Sequence, residues 1–256
     1  MQHSEVLSEL PSEFSLLETP PDKIYYRGKT SLLSARKVSI VGARKAYPYS
    51  RHVTHSLASE LSKRGVCIVS GGAMGIDALA HEGAFPNTIA VLANGLDIVY
   101  PKVNKKLLEK ISQEALLLSE YEDGEEARSY TFVHRNRLVV ALGEVLVVAQ
   151  ADLNSGTMRS VEYALQMGKR IYVLPHRLGE SEGTMQLLKE GKAELITDIK
   201  VFADNFGLQG NENDAFLSFC LTTDSYEEVL AYDAQKLFEY ELLGKIKVIN
   251  GKIFVA

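Results

Sequence analysis

The run Val38-Ser39-Ile40-Val41-Gly42-Ala43-Arg44 and, after a helical segment, Val66-Cys67-Ile68-Val69-Ser70-Gly71-Gly72-Ala73-Met74-Gly75-Ile76-Asp77 decide the fold. Each apolar run is short, rich in β-branched residues and closed by glycine, the pattern of a buried strand. Between them, residues 50–64 carry Val53, Leu57 and Leu61 at helical spacing. Strand, glycine turn, helix, strand is the βαβ unit of a parallel sheet. Glycine has no Cβ, so such turns bend sharply and let backbone N–H groups approach a ligand. A helix starting just beyond adds free donors and the positive end of its dipole. Two such turns side by side at the carboxyl ends of parallel strands make an anion pocket. A tight strand–helix connection alone needs the same glycines. Neither turn matches GxGxxG or the P-loop pattern, so the usual nucleotide fingerprints are missing.

The pattern continues outward. Thr88-Ile89-Ala90-Val91-Leu92 is a third strand, closing on Ala93-Asn94-Gly95, and Leu116-Leu117-Leu118-Ser119-Glu120 is a fourth. Residues 144–150 are nearly continuous apolar, hence central, and lead to Asn154-Ser155-Gly156-Thr157 at a helix amino end. Strands at 171–175 and 195–196 follow. Helices are expected at 76–85, 104–113, 138–142, 158–167, 184–190 and up to about residue 202. Six or seven strands alternating with helices predict an α/β, Rossmann-like, doubly wound, mostly parallel sheet. Residues 1–34 form a short extension, an acidic lead into Thr19-Pro20-Pro21 and an edge strand at 24–28, because Pro-Pro forbids helix there. The core is then 35–206.

Residues 207–213 read as a linker. The tail, 214–256, has apolar helical spacing and then Asn250-Gly251 between alternating apolar residues, a hairpin signal. Helices followed by a hairpin predict a small winged-helix-like module. Its Lys236, Lys245, Lys247 and Lys252 face eight carboxylates, Glu212, Asp214, Asp224, Glu227, Glu228, Asp233, Glu239 and Glu241. That excess repels phosphate, so contact with protein fits it better than contact with DNA.

The chain has 256 residues, 46% hydrophobic and 24% charged, with a formal net charge of −5. Any nucleic-acid binding must therefore come from a local basic patch. Cys67 and Cys220 sit in apolar settings and read as buried thiols of a reducing cytoplasm. The polar amino terminus is unlike a signal peptide, and no apolar run reaches the ~18 residues of a membrane span. A cytoplasmic protein is expected. His81 reads as a packed or capping histidine rather than a ligand. Neither metal-ligand spacing nor a Ser/His/Asp constellation is present, so no metal, cofactor or catalytic residue is expected.

The most basic and aromatic window is Arg128-Ser129-Tyr130-Thr131-Phe132-Val133-His134-Arg135-Asn136-Arg137. Arginine beside an aromatic ring suits single-stranded nucleic acid: guanidinium on phosphate, ring on base. A helix start with solvated arginines and a core phenylalanine would read the same way.

Taken in order, the pieces resemble the DNA processing protein A family (DprA, also called Smf). The resemblance runs from about residue 20 to 200. It is carried by Val41-Gly42-Ala43-Arg44, Ser70 to Asp77 with Ala80-His81, Asn94-Gly95-Leu96-Asp97 with Tyr100-Pro101, Ser119-Glu120, Phe132 with Arg135-Asn136-Arg137, Ser155-Gly156-Thr157, and Val173-Leu174-Pro175. The family resemblance implies a core that binds single-stranded DNA, protects incoming strands during natural transformation, helps load the RecA recombinase, dimerises and catalyses nothing. Carried over by position, Gly42 and Arg44 form a first phosphate-binding turn, and Ser70, Gly71, Gly72 and Gly75 a second. Asn94 joins the set through its motif. Phe132 would stack on or wedge against a base. Arg135 and Arg137 would support that edge or hold the loop, and Asn136 would hold the loop or read a base edge. Ser155, Gly156 and Thr157 form a third turn. Met74 stands where many members have a small residue, which alters pocket width more than charge. The alternative is an enzyme: Gly156-Thr157 with Glu162 is similar to the Gly-Thr-x-x-Glu loop of lysine-decarboxylase-like nucleoside-monophosphate phosphoribohydrolases. Yet the leading Pro-Gly-Gly is missing, and Ser160 occupies the place of the glutamate.

Overall fold

A computed structural model describes residues 3–207, 215–242, 244 and 246–255. The expected linker, apart from Gly207, lies outside the described residues. The chain divides into two compact units, Met1–Gln209 and Gly210–Ala256.

The first unit runs β1 (Glu5–Val6), β2 (Tyr25–Gly28), β3 (Lys37–Gly42), α1 (Pro48–Ser62), β4 (Cys67–Gly71), α2 (Ile76–Ala84), β5 (Thr88–Leu92), α3 (Lys105–Glu114) and β6 (Leu116–Ser119). It continues α4 (Ser129–Leu142), β7 (Leu146–Gln150), α5 (Gly156–Gln166), β8 (Ile171–Val173), α6 (Glu182–Lys189), β9 (Glu194–Leu195) and α7 (Ile199–Asp204). The sheet order is β1-β2-β6-β5-β4-β3-β7-β8-β9. From β6 to β9 every pairing is parallel; β1 and β2 add on antiparallel. This is the doubly wound sheet expected, with one addition. The acidic lead supplies β1, outside the strand expected to form the edge.

Side-chain alternation builds the two layers. Val38, Ile40, Ile68 and Val147 pack toward α1, α2 and α7 through Leu57, Leu61, Ile76, Ala80 and Phe202. Val41, Val69, Val91 and Val148 pack the other way, against Leu138, Leu142, Val161 and Ala164 of α4 and α5. The chain leaves β3 for β4, β5 and β6 on one side, then returns to β7 on the other. The connections after β3 and β7 therefore diverge and leave a crevice at the carboxyl ends of these strands.

Two differences from the sequence reading matter here. The helix expected from residue 138 begins at Ser129. The Thr131 hydroxyl accepts the Arg128 N–H at 2.9 Å and donates to the Arg128 carbonyl at 2.8 Å, capping from inside the first turn. The glycine turns after β3 and β4 also lock together. Gly75 has φ +81°, and a Cβ there would stand 2.4 Å from the Ala43 carbonyl oxygen. The Ile76 N–H donates to that carbonyl at 3.2 Å. A Cβ on Gly42 would meet Ile76 Cγ1 at 2.7 Å.

The second unit holds α8 (Ala215–Thr222), α9 (Tyr226–Leu242), β10 (Ile246–Ile249) and β11 (Lys252–Val255). β10 and β11 pair antiparallel around Asn250 and Gly251, both at positive φ as the turn requires. Phe216, Val229, Leu237, Ile246 and Ile253 form its core. Among the described residues no helix is long and apolar enough to cross a membrane.

Gly75→Ala combines left-handed strain with a backbone clash. It is expected to lower unfolding stability in urea by about 2–4 kcal/mol. Gly156→Ala, at a position where a Cβ meets nothing within 4 Å, is expected to cost far less.

Candidate nucleic-acid interface

The floor of the crevice is built on a buried arginine. Arg135 is 4% exposed. Its Nη1 donates to the Val91 carbonyl at the end of β5, and its Nε donates to Asn136 Oδ1 at 3.2 Å. The guanidinium lies so close to β4 that a Cβ on Gly71 would meet Nη1 at 2.4 Å and Asp77 Oδ2 at 2.6 Å. Gly71 thus makes room for two buried opposite charges, the Arg135 guanidinium on α4 and the Asp77 carboxylate on α2, which feel each other across its bare Cα without a direct contact. Burial pushes the Asp77 carboxyl up, and the Arg135 guanidinium pulls it back. Burial likewise lowers Arg135, with Asp77 opposing. Beneath the turn, His81 is fully buried; its Nε2–H donates to the Gly71 carbonyl at 2.8 Å, and Nδ1 lies 2.7 Å from the Thr88 hydroxyl. The carbonyl needs a donor, so the proton of the neutral ring sits on Nε2. Burial drives the imidazole down to about 4.

One helical turn before Arg135, on the same face of α4, stands Phe132. Its ring lies 5.7 Å from that of Tyr100 and 5.3 Å from the Arg44 guanidinium. Arg44 is exposed and, like Lys45 beside it, has no ion pair among the described residues. The crevice between these residues and the amino end of α5 encloses about 650 Å³. Gly42, Arg44 and Lys45 line one side, Phe132, Arg135 and Asn136 the second, and Ser155, Gly156, Thr157 and Ser160 the third. A small adjoining hollow of about 30 Å³ lies between Arg44, Met74, Leu92, Asn94, Tyr100 and Phe132.

The other expected site residues are placed as follows. Ser70 is buried and donates to the Ile40 carbonyl at 2.6 Å, joining β4 to β3. Gly72 is buried against Leu92, whose Cδ2 a Cβ would meet at 2.6 Å. Asn94 spends its side-chain donors on the Gly95 and Ile98 carbonyls, at 2.8 and 2.7 Å, within its own loop. Arg137 points away from the crevice into a two-pronged bond with Glu120, at 2.6 and 2.8 Å. The Ser155 hydroxyl is buried without a hydrogen-bond partner at the start of α5. Glu162, on which an enzymatic reading depends, is exposed and paired with Arg159 at 2.7 Å. Among the described residues no group of three or more His, Cys, Asp or Glu is arranged to hold a metal. Sequence reading missed Lys45 and Tyr100 as wall residues, although Lys45 adjoins Arg44 and Tyr100-Pro101 was noted as a motif. It also missed that Asp77 is buried close to Arg135.

Fold and crevice together define a Rossmann-like α/β protein with an open, cationic and aromatic switch-point cleft. Residues 5–207 match the family model described as DNA recombination-mediator protein A, and the chain belongs to that family, the DNA processing protein A (DprA/Smf) family. It is 36% identical over 192 residues to DprA of Streptococcus pneumoniae, covering 73% of this chain and 67% of that one. It is 33% identical over 207 residues to protein Smf of Synechocystis, covering 77% of this chain and 50% of that one. The chain thus spans about half to two thirds of the length of the curated relatives it matches. The solved structure concerned with the single-stranded DNA binding mode of DNA processing protein A from Helicobacter pylori superposes with a TM-score of 0.78 at 44% identity, covering 79% of this chain and 94% of that one. The crystal structure of the pneumococcal protein gives 0.75 at 33% identity, covering 81% and 76%.

His81 sets a pH dependence. The unfolded chain binds a proton below about 6.5, the folded protein only below about 4. Protons therefore favour unfolding across that window, and stability is lost as pH falls through it, by up to about 3 kcal/mol. Urea melts at pH 7 and pH 4.5 should show the loss. His81→Gln should flatten it, whatever its own stability at pH 7.

Proposed function

We propose that the chain binds single-stranded DNA in the crevice at the carboxyl ends of β3 and β7 and catalyses no reaction on it. In the cell it would shield incoming strands during natural transformation and recombination and help load RecA onto them. The observation that carries this reading is Arg44: exposed, without an ion-pair partner, and set over the Phe132 ring at the mouth of the crevice. Guanidinium and ring together present phosphate and base partners side by side. Membership of the family and the likeness to the Helicobacter pylori protein support it.

In this reading Arg44 and the backbone around Gly42 hold phosphate, with Ser155, Gly156 and Thr157 facing them across the cleft. Phe132 takes a base, and Asn136 stands where a base edge would pass. Ser70, Gly71, Gly72, Gly75, Asn94, Arg135 and Arg137 act through position, by shaping the floor and fastening its loops. Duplex DNA is excluded because its bases are stacked and paired. We further propose a cytoplasmic homodimer through the core. Residues 214–256 would form a winged-helix-like module whose acidity turns it toward protein.

Fluorescence anisotropy of a labelled oligonucleotide tests the assignment. The protein should prefer single strand to duplex, and Arg44→Ala should weaken binding about tenfold or more. Phe132→Ala should cost about 1–3 kcal/mol, the value of one stacked base. Unchanged affinity in Arg44→Ala overturns the assigned site. Incubation with AMP should release no free base; release would move the reading to a phosphoribohydrolase.

A further inference from the structure

The loop after β3 does not turn straight into α1. The Ala43 N–H donates to the Gln150 carbonyl at 2.9 Å, and the Tyr47 N–H donates to the Gln150 side-chain oxygen at 2.9 Å. Tyr49 then meets the ring of His176 edge-on, with centroids 6.1 Å apart. His176 is itself fastened through Nε2 to the Ala149 carbonyl at 2.9 Å. Residues 43–49 are therefore laid across the carboxyl ends of β7 and β8, forming a ridge that starts at Arg44.

The ridge carries open aromatic rings and unpaired cations. Tyr47 and Tyr49 are each 45% exposed. Lys45, Arg51 and Arg177 are exposed and have no ion pair among the described residues. Three other surface arginines of the unit do answer carboxylates: Arg36 to Glu144, Arg159 to Glu162, Arg170 to Glu194. In a chain of net charge −5, unmatched cations beside two open aromatic rings call for an anionic partner that also has planar faces.

We propose that this ridge is a second stretch of the nucleic-acid path, an inference that rests on reading the crevice as a single-stranded DNA site. A strand leaving Arg44 and Phe132 continues over Tyr47 and Tyr49, which accept unpaired bases. Lys45, Arg51 and Arg177 line its phosphates. The ridge adds length to the binding site rather than strength to the crevice, so short and long oligonucleotides distinguish the two.

The experiment measures anisotropy of labelled oligothymidylates between about 4 and 16 nucleotides, the range of site sizes known for strand-binding domains. Wild-type affinity should rise with length. The double variant Tyr47→Ala/Tyr49→Ala should lose about tenfold or more on the longest strand and less than twofold on the shortest that binds. Tyr47→Phe/Tyr49→Phe should retain wild-type affinity at all lengths. Arg51→Ala and Arg177→Ala should each lower the salt slope on long strands by about 0.7. Wild-type affinity of the alanine pair on the longest strand, with Arg44→Ala weakened at every length, overturns the ridge and leaves the crevice standing. An equal loss at every length in the alanine pair overturns it too. If Arg44→Ala binds as wild type throughout, crevice and ridge fall together.

Discussion

A guanidinium taken out of water must be answered on every side, and Arg135 is the group around which this protein arranges its binding end. The Val91 carbonyl, the Asp77 carboxylate and the bare Cα of Gly71 surround it, drawn from β5, α2 and β4. Leaving such a charge buried without its partner costs about 3–5 kcal/mol. The requirement fixes α4 over the ends of the central strands. Phe132, one turn away, then arrives beside Arg44 and Tyr100 without any tether of its own. The aromatic wall is a consequence of the buried arginine and its bond to the Val91 carbonyl.

Two kinds of cation meet around the crevice. Arg135 and Arg137 are buried, the first bonded to the Val91 carbonyl in the field of Asp77, the second paired with Glu120. Arg44 and Lys45 are hydrated and unmatched at the rim. Charges of the first kind hold shape, because their hydration has been exchanged for bonds within the fold, although Arg137 Nη1 stays buried without a partner. Charges of the second kind keep their hydration and counterions until a polyanion replaces them. An acidic chain thereby presents cations that no carboxylate pairs among the described residues, although Asp152 lines the same crevice.

Much of this was legible in the sequence because the central strands obey simple rules. Val38–Val41 and Val66–Val69 are β-branched, short and closed by glycine, and they became β3 and β4. The continuous apolar run at 144–150 became β7, beside β3 at the switch point. The beginning of α4 was hidden, since its cap comes from Thr131 inside the helix instead of a small polar residue before it. That start also decides which way the arginines face. In a loop, Arg135 and Arg137 are interchangeable positive charges; on a helix two residues apart they diverge, one under the floor and one toward Glu120. The burial of Arg135 close to Asp77 brings together residues 58 positions apart in the chain, and no local pattern announces it. β1 was missed because two residues carry no period.

The floor of the crevice has no spare volume. A methyl group at position 71 would strike guanidinium nitrogens, and one at position 72 would strike Leu92. Variation in what the site accepts is therefore confined to its margin, where Met74 is 43% exposed and Tyr100 stands open. Related chains can exchange residues there without disturbing the buried arginine below. The outline of the crevice mouth and the integrity of the fold are set by different residues, and the first can drift while the second stays fixed.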